Sequence, residues 1–219
     1  RRKERGKWCY FTTVSNKLFN LKKLKGKTFA EWEGGRAEKW FFEARELYDR
    51  GLDLVYSDDY RKALAYFRKA VNKDSNYVQA YVEIGYCNDK LGYNDLSIRS
   101  YKKTISIDSN YAPAYNGLAQ VFVKLKRNQE AVEAFKKVTI IRPNYYEAYY
   151  NLGVAYSNLS LTQDAISSFK RAIDIKGDYF EAYNGLGIVY NNIGRHRDAV
   201  QMFKQALIFN PNFLEANHG

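Results

Sequence analysis

"NYYEAYYNLG", residues 144–153, spends four of its ten positions on tyrosine and closes on a glycine inside a stretch with helical spacing. The phrase recurs as "NYVQAYVEIG" at 76–85, "NYAPAYNGLA" at 110–119 and "DYFEAYNGLG" at 178–187. Each copy begins 34 residues after the last, and a fixed period of that size signals a repeat architecture. The period divides residues 44–213 into five units without an insertion: 44–77, 78–111, 112–145, 146–179 and 180–213.

Within each unit, two apolar-periodic segments are joined by a short polar turn. In the fourth, residues 147–159 carry Tyr149, Leu152 and Tyr156 on one stripe, and residues 162–175 carry Ala165, Phe169, Ala172 and Ile173. So short a link predicts two antiparallel helices. Pro143 and Pro211 fall where helices must stop, and Pro113 falls in a first turn, where its missing N–H costs little. Upstream, "GGRAEKWFFEARELYDRGLDLVY" predicts a first helix extended back to about Arg36, with Gly34-Gly35 as the break before it. Its stripe is Trp40, Phe41, Ala44, Leu47 and Tyr48. At the other end "LEANHG", residues 214–219, restarts the phase, so a truncated cap or a further repeat is expected there.

These residues resemble the tetratricopeptide-repeat pattern: large apolar at position 4, small at 8, Ala at 20, aromatic at 24. Position 4 is Leu47, Tyr81, Tyr115, Tyr149 and Tyr183, and position 8 is Gly51, Gly85, Ala119, Gly153 and Gly187. Position 20 is Ala63, Ser97, Ala131, Ala165 and Ala199, and position 24 is Phe67, Tyr101, Phe135, Phe169 and Phe203. Departures are Arg50 at position 7, Asn88 at 11, Thr104 and Val138 at 27, and Ser75, Ser109 and Gly177 at 32. The resemblance implies an all-α, right-handed solenoid of five helix-turn-helix units over residues 36–213, preceded by a basic extension, residues 1–35. Glycine costs a helix interior about 1 kcal/mol relative to alanine. The position-8 glycines are therefore expected to admit close approach to position 20, with the neighbouring tyrosines wedged between units.

Composition narrows the function. The chain has 219 residues, 46% hydrophobic and 16% aromatic, enough for a substantial core and too apolar for disorder. No run approaches a membrane span or a secretory h-region, and an intracellular location is expected. Residue 1 is not methionine, which leaves open a segment upstream. Cys9 and Cys87 sit apart and read as reduced, structural thiols. His196 and His218 are the two histidines. There is no H-E-x-x-H, paired C-x-x-C, phosphate loop or nucleophile elbow, so an enzyme is not expected, nor a metal or cofactor. Asp58-Asp59 falls in a turn and reads as an N-cap.

Surface is what remains. The family lines its concave face chiefly through positions 2, 5, 9, 12 and 13 of the first helix, which implies a groove for a protein partner, most simply an extended segment. The candidate groove residues are Tyr48, Tyr86, Asn116, Gln120, Lys124, Tyr150, Asn158, Asn184, Asn191 and Asn192. Amides can hydrogen-bond a peptide backbone, and tyrosines supply contact area at low entropic cost. The family's carboxylate clamp needs cations where this chain has Glu181 and Gly185, and its asparagine ladder needs Asn where position 6 reads Asp49, Glu83, Gly117, Asn151 and Gly185.

Charge is unevenly placed. Of the net +11, residues 1–27 hold +9, from Arg1, Arg2, Lys3, Arg5, Lys7, Lys17, Lys22, Lys23, Lys25 and Lys27 against Glu4. Residues 28–219 are left with +2. Such an arm, with Leu18, Phe19 and Leu21 beside Lys17, Lys22, Lys23 and Lys25, suits RNA phosphates or an anionic membrane. The reading is thus a non-catalytic scaffold that holds a protein partner in its groove within a larger assembly. The alternative is an assembly subunit tethered to RNA or membrane through residues 1–27.

Overall fold

The computed structural model describes residues 34–211, with side chains from residue 42 onward. The basic arm and the restart at 214–219 lie outside the described residues. Among the described residues ten helices follow one another: α1 (Gly34–Tyr56), α2 (Tyr60–Lys73), α3 (Val78–Lys90), α4 (Asn94–Ile107), α5 (Ala112–Lys124), α6 (Asn128–Ile141), α7 (Tyr146–Asn158), α8 (Thr162–Ile175), α9 (Phe180–Asn192) and α10 (His196–Phe209). No strand occurs among the described residues. The all-α helical repeat read from the sequence is the architecture observed. One boundary differs: α1 begins at Gly34 and takes both glycines into its first turn, where the N–H groups would lack intrahelical acceptors in any case.

The local rules repeat with the period. Position 15, between the two helices of each unit, is left-handed five times: Asp58 (φ 59°), Gly92 (80°), Lys126 (58°), Ser160 (58°) and Gly194 (76°). The left-handed residue lets the next N–H turn back onto the helix it follows: Tyr93 N donates to Asn88 O at 2.8 Å and Arg127 N to Phe122 O at 2.8 Å. This satisfies carbonyls that the helix end would leave unpaired. Asp59 caps α2 as expected, its carboxylate accepting from Lys62 N at 3.2 Å. Pro113 sits in the first turn of α5. Between units, the Asp74 and Asp108 carboxylates accept from Asn76 N (3.0 Å) and Asn110 N (2.9 Å), folding the chain into the next first helix.

The expected notch is real, but what fills it is different. A Cβ built on Gly51, Gly85, Gly153 or Gly187 would lie 2.5–2.8 Å from the position-24 ring of its own unit, Phe67, Tyr101, Phe169 or Phe203. The glycines make room for that ring rather than only for the backbone of the opposing helix. Position 20 does face position 8, since Ser97 Oγ donates to Gly85 O at 2.8 Å. The position-4 tyrosines do join successive units: Tyr115 and Tyr183 donate to the carbonyls of Ser109 (3.2 Å) and Gly177 (3.1 Å) in the preceding unit.

The rings reach further. Gly117 and Gly185, both at position 6, face the ring of the previous unit, Tyr101 and Phe169, with a built Cβ at 2.4 and 2.8 Å. At these two junctions the first helices themselves come together, α3 against α5 and α7 against α9. No pair of even-numbered helices makes comparable contact. Odd-numbered helices therefore line the shorter, concave side and even-numbered helices the longer, convex side. The polar departures of unit two are absorbed locally: Asn88 (2% exposed) donates to Ile84 O at 2.8 Å, and Thr104 (0%) to Ser100 O at 3.1 Å. Cys87 is a buried free thiol, and burial pushes it up to about 12, consistent with a structural role.

Candidate partner-binding surface

The family's groove positions 2, 5, 9, 12 and 13 fall on the odd-numbered helices, and the ten candidate residues divide by environment. Tyr48 belongs to the core, not to the groove. It is 7% exposed, with its ring 5.5 Å from Phe67 and 5.1 Å from Tyr77. The physical reason is its place at position 5, between the position-24 ring and the position-34 tyrosine of its own unit. Tyr150 repeats this geometry in unit four, 5.8 Å from Phe169 and 5.5 Å from Tyr179, yet stays half-exposed. Loss of water and then the charge of Glu181 raise its phenol above the ordinary range.

Other candidates are already engaged. Lys124 reaches across from α5 to α3, 3.0 Å from the Asp89 carboxylate and donating to its carbonyl at 3.2 Å. Asn191 Oδ1 lies 2.9 Å from His196 Nδ1, and Asn158 Nδ2 lies 3.4 Å from Asn128 Oδ1. Tyr86 is half-buried, edge-on to Tyr60 at 6.1 Å and covered by Lys90 at 5.3 Å. Gln120 and Asn192 are exposed, and Asn184 is half-buried. Asn116 is half-buried, and its Oδ1 is buried without a hydrogen-bond partner. A buried acceptor left unpaired costs free energy that a ligand donor can restore.

Two groups escaped the sequence reading of the site. The first is the set of position-34 tyrosines, Tyr77, Tyr111, Tyr145 and Tyr179, which precede the odd-numbered helices. Tyr179 stacks edge-on to Tyr146 (4.7 Å) and Tyr150 (5.5 Å). Its hydroxyl is raised by desolvation first, then by Glu181 and, more weakly, Glu147. Lys176 covers this cluster, 4.6 Å from the Tyr146 ring and 3.3 Å from its hydroxyl. Their recurrence every 34 residues is the signal that could have found them. The second is Glu83 at position 6 of α3. Although only half-buried by surface, its carboxyl is shut off from water, which alone pushes it up to about 7. Nothing in a single glutamate announces that burial.

Chemically, this face offers acceptors, phenols and flat rings. Among the described residues no group of His, Cys, Asp and Glu is arranged to hold a metal. No described helix is long and apolar enough to cross a membrane.

Family models for the tetratricopeptide repeat match residues 48–113, 146–179 and 180–213, and one described as "TPR repeat" matches 119–160. Comparison with curated proteins gives no match. Among solved structures, a MamA crystal structure is 27% identical with a TM-score of 0.69, covering 75% of this chain and 96% of its own. MamA 41-end from Desulfovibrio magneticus RS-1 is 19% identical with a TM-score of 0.72, covering 78% and 97%. YrrB, described as a TPR protein with an unusual peptide-binding site, is 21% identical with a TM-score of 0.68, covering 86% and 97%. With the period, the ring-and-glycine packing and these matches in agreement, the chain belongs to the tetratricopeptide-repeat family.

Proposed function

We propose that the protein is a non-catalytic scaffold that holds an extended segment of a protein partner along its concave face. The observation that carries this reading is the adjacency of α7 and α9. It sets the half-exposed position-5 residues Tyr150 and Asn184 on neighbouring helices. A phenol and an amide so placed can cover a peptide and pair with its backbone. The likeness to YrrB supports the same mode, since that protein is described by a peptide-binding site.

The test uses the partner recovered by affinity purification of the full chain and identified by mass spectrometry. Asn184→Ala with Asn191→Ala removes two amides from the concave side without opening a cavity. Stability should move by a few tenths of a kcal/mol, while partner binding weakens by about 1–3 kcal/mol if both amides satisfy buried peptide groups. Gln163→Ala with Lys170→Ala, both exposed on α8, should leave binding intact. Loss on the α8 pair with retention on the inner pair would place the working surface on the convex side.

A further inference from the structure

The two sides of the array differ in charge. The inner helices α3, α5, α7 and α9 contain three glutamates, one aspartate and two lysines, a net −2. The five outer helices contain fourteen Lys or Arg against six acids, a net +8. Pairing sharpens the contrast. On the inner side Lys124 is bound to Asp89, Lys90 lies over Tyr86, and Arg45 lies 3.8 Å from Asp49. Glu83 and Glu181 have no cation within ion-pair distance and no hydrogen-bond donor among the described residues.

An unpaired carboxylate shut away from water, as that of Glu83 is, is costly, and a cation brought by a partner would offset the cost. No cation among the described residues does so. The titratable groups that feel the charge of Glu83 are Cys87 on its own helix and Tyr101 from α4, and Tyr101 also feels Asp89. From α5, Gly117 brings no side chain, and Lys124 is spent on Asp89. Between the two carboxylates along the concave face, the buried Oδ1 of Asn116 also awaits a donor.

We propose that the concave face takes an extended partner segment rich in lysine or arginine, whose side chains are received by Glu83 and Glu181. This rests on the groove reading above and adds the chemical class of the partner. The span fits: three steps between inner helices at roughly 10 Å each make about 30 Å, the length of about nine extended residues. Cations at the two ends of such a segment would meet α3 and α9, with backbone donors between them opposite Asn116 and Tyr150.

The experiment is selection of a displayed random 12-residue peptide library on the full chain, with deep sequencing of the enriched pool. The chain's +11 charge disfavours non-specific capture of basic peptides, so their enrichment reports a local site. Two basic residues separated by six to eight positions should dominate. A synthetic peptide from that pool should bind Glu83→Gln and Glu181→Gln about tenfold more weakly each, and Asp174→Asn on α8 equally well. Enrichment of peptides without basic residues that still depend on Asn184 would overturn the charge inference and leave the groove reading standing. Absence of enrichment, or enrichment indifferent to Asn184, Glu83 and Glu181 alike, would overturn both.

Discussion

Gly153→Ala is the smallest change that tests how these units pack. At an ordinary helix interior it should stabilise by about 1 kcal/mol, because alanine removes the entropic penalty of glycine. Here the new Cβ would lie 2.8 Å from both Cδ1 and Cε1 of Phe169 and 3.0 Å from Cζ. The ring has little room to step back in a close-packed interior. It is 1% exposed, and a Cβ on Gly185 of the next unit would likewise lie 2.8 Å from it. Overpacking a close-packed core costs about 1–3 kcal/mol, so the propensity gain is cancelled or exceeded and the net change is a loss of up to about 2 kcal/mol. Gly153→Leu, with three more carbons to place, should lose about 3 kcal/mol or more. Phe169→Ala removes the whole ring, Cδ1, Cε1 and Cζ included, and in that background Gly153→Ala should stabilise, a coupling of about 1 kcal/mol or more between the sites. Gly177→Ala is the control: nothing lies within 4 Å of its built Cβ and its φ is not positive, so alanine should stabilise by about 0.4–1 kcal/mol. Urea denaturation followed by far-UV circular dichroism measures all five variants, the Phe169 single and double included. A higher midpoint for Gly153→Ala in the wild-type background would refute the ring-and-notch account.

Glu83 makes stability fall with rising pH. The folded carboxyl titrates at about 7 against 4.5 in the open chain, so between those values the folded state holds a proton that the unfolded state has lost. The resulting destabilisation is complete above pH 7 and has a ceiling of about 3 kcal/mol. Glu83→Gln should match wild type at pH 4 and exceed it at pH 8 in thermal melts, and parallel pH profiles would contradict the burial. At Lys126 and Ser160, left-handed backbone carries a Cβ. Lys126→Gly and Ser160→Gly should each raise the denaturation midpoint by an amount equivalent to about 1 kcal/mol, and a lower midpoint would mean the turns are relaxed.

Much of the fold was legible because a period needs no propensity scale. Five aligned copies make each position its own control, and Phe67 or Gly153 can be read from its counterparts. The partner of each glycine was not legible, since opposing helices and facing rings both demand a missing Cβ. Only the placement of Phe169 between Gly153 and Gly185 separates them. The groove was read less well. Tyr48 and Tyr150 occupy the same position in the repeat, but one is buried in the core and the other is half-exposed. Exposure depends on what the next unit brings, and a list of positions does not carry that. Glu83 shows the same limit, because its desolvation is produced by neighbours from other helices.

The junctions between units are not equivalent. Where position 6 is glycine, at 117 and 185, adjoining inner helices touch; where it is Glu83 or Asn151, they stand further apart. In mechanical terms the arc has closed joints between units two and three and between four and five, and looser ones on either side of the second and third units. Two stiff double units and a lighter leading one would then be the bodies that move when the molecule is bent. Any change in the width of the groove would be taken up at residues 83 and 151, where a side chain already holds the backbones apart, and the rings of Tyr101 and Phe169 would ride unchanged within their own bodies.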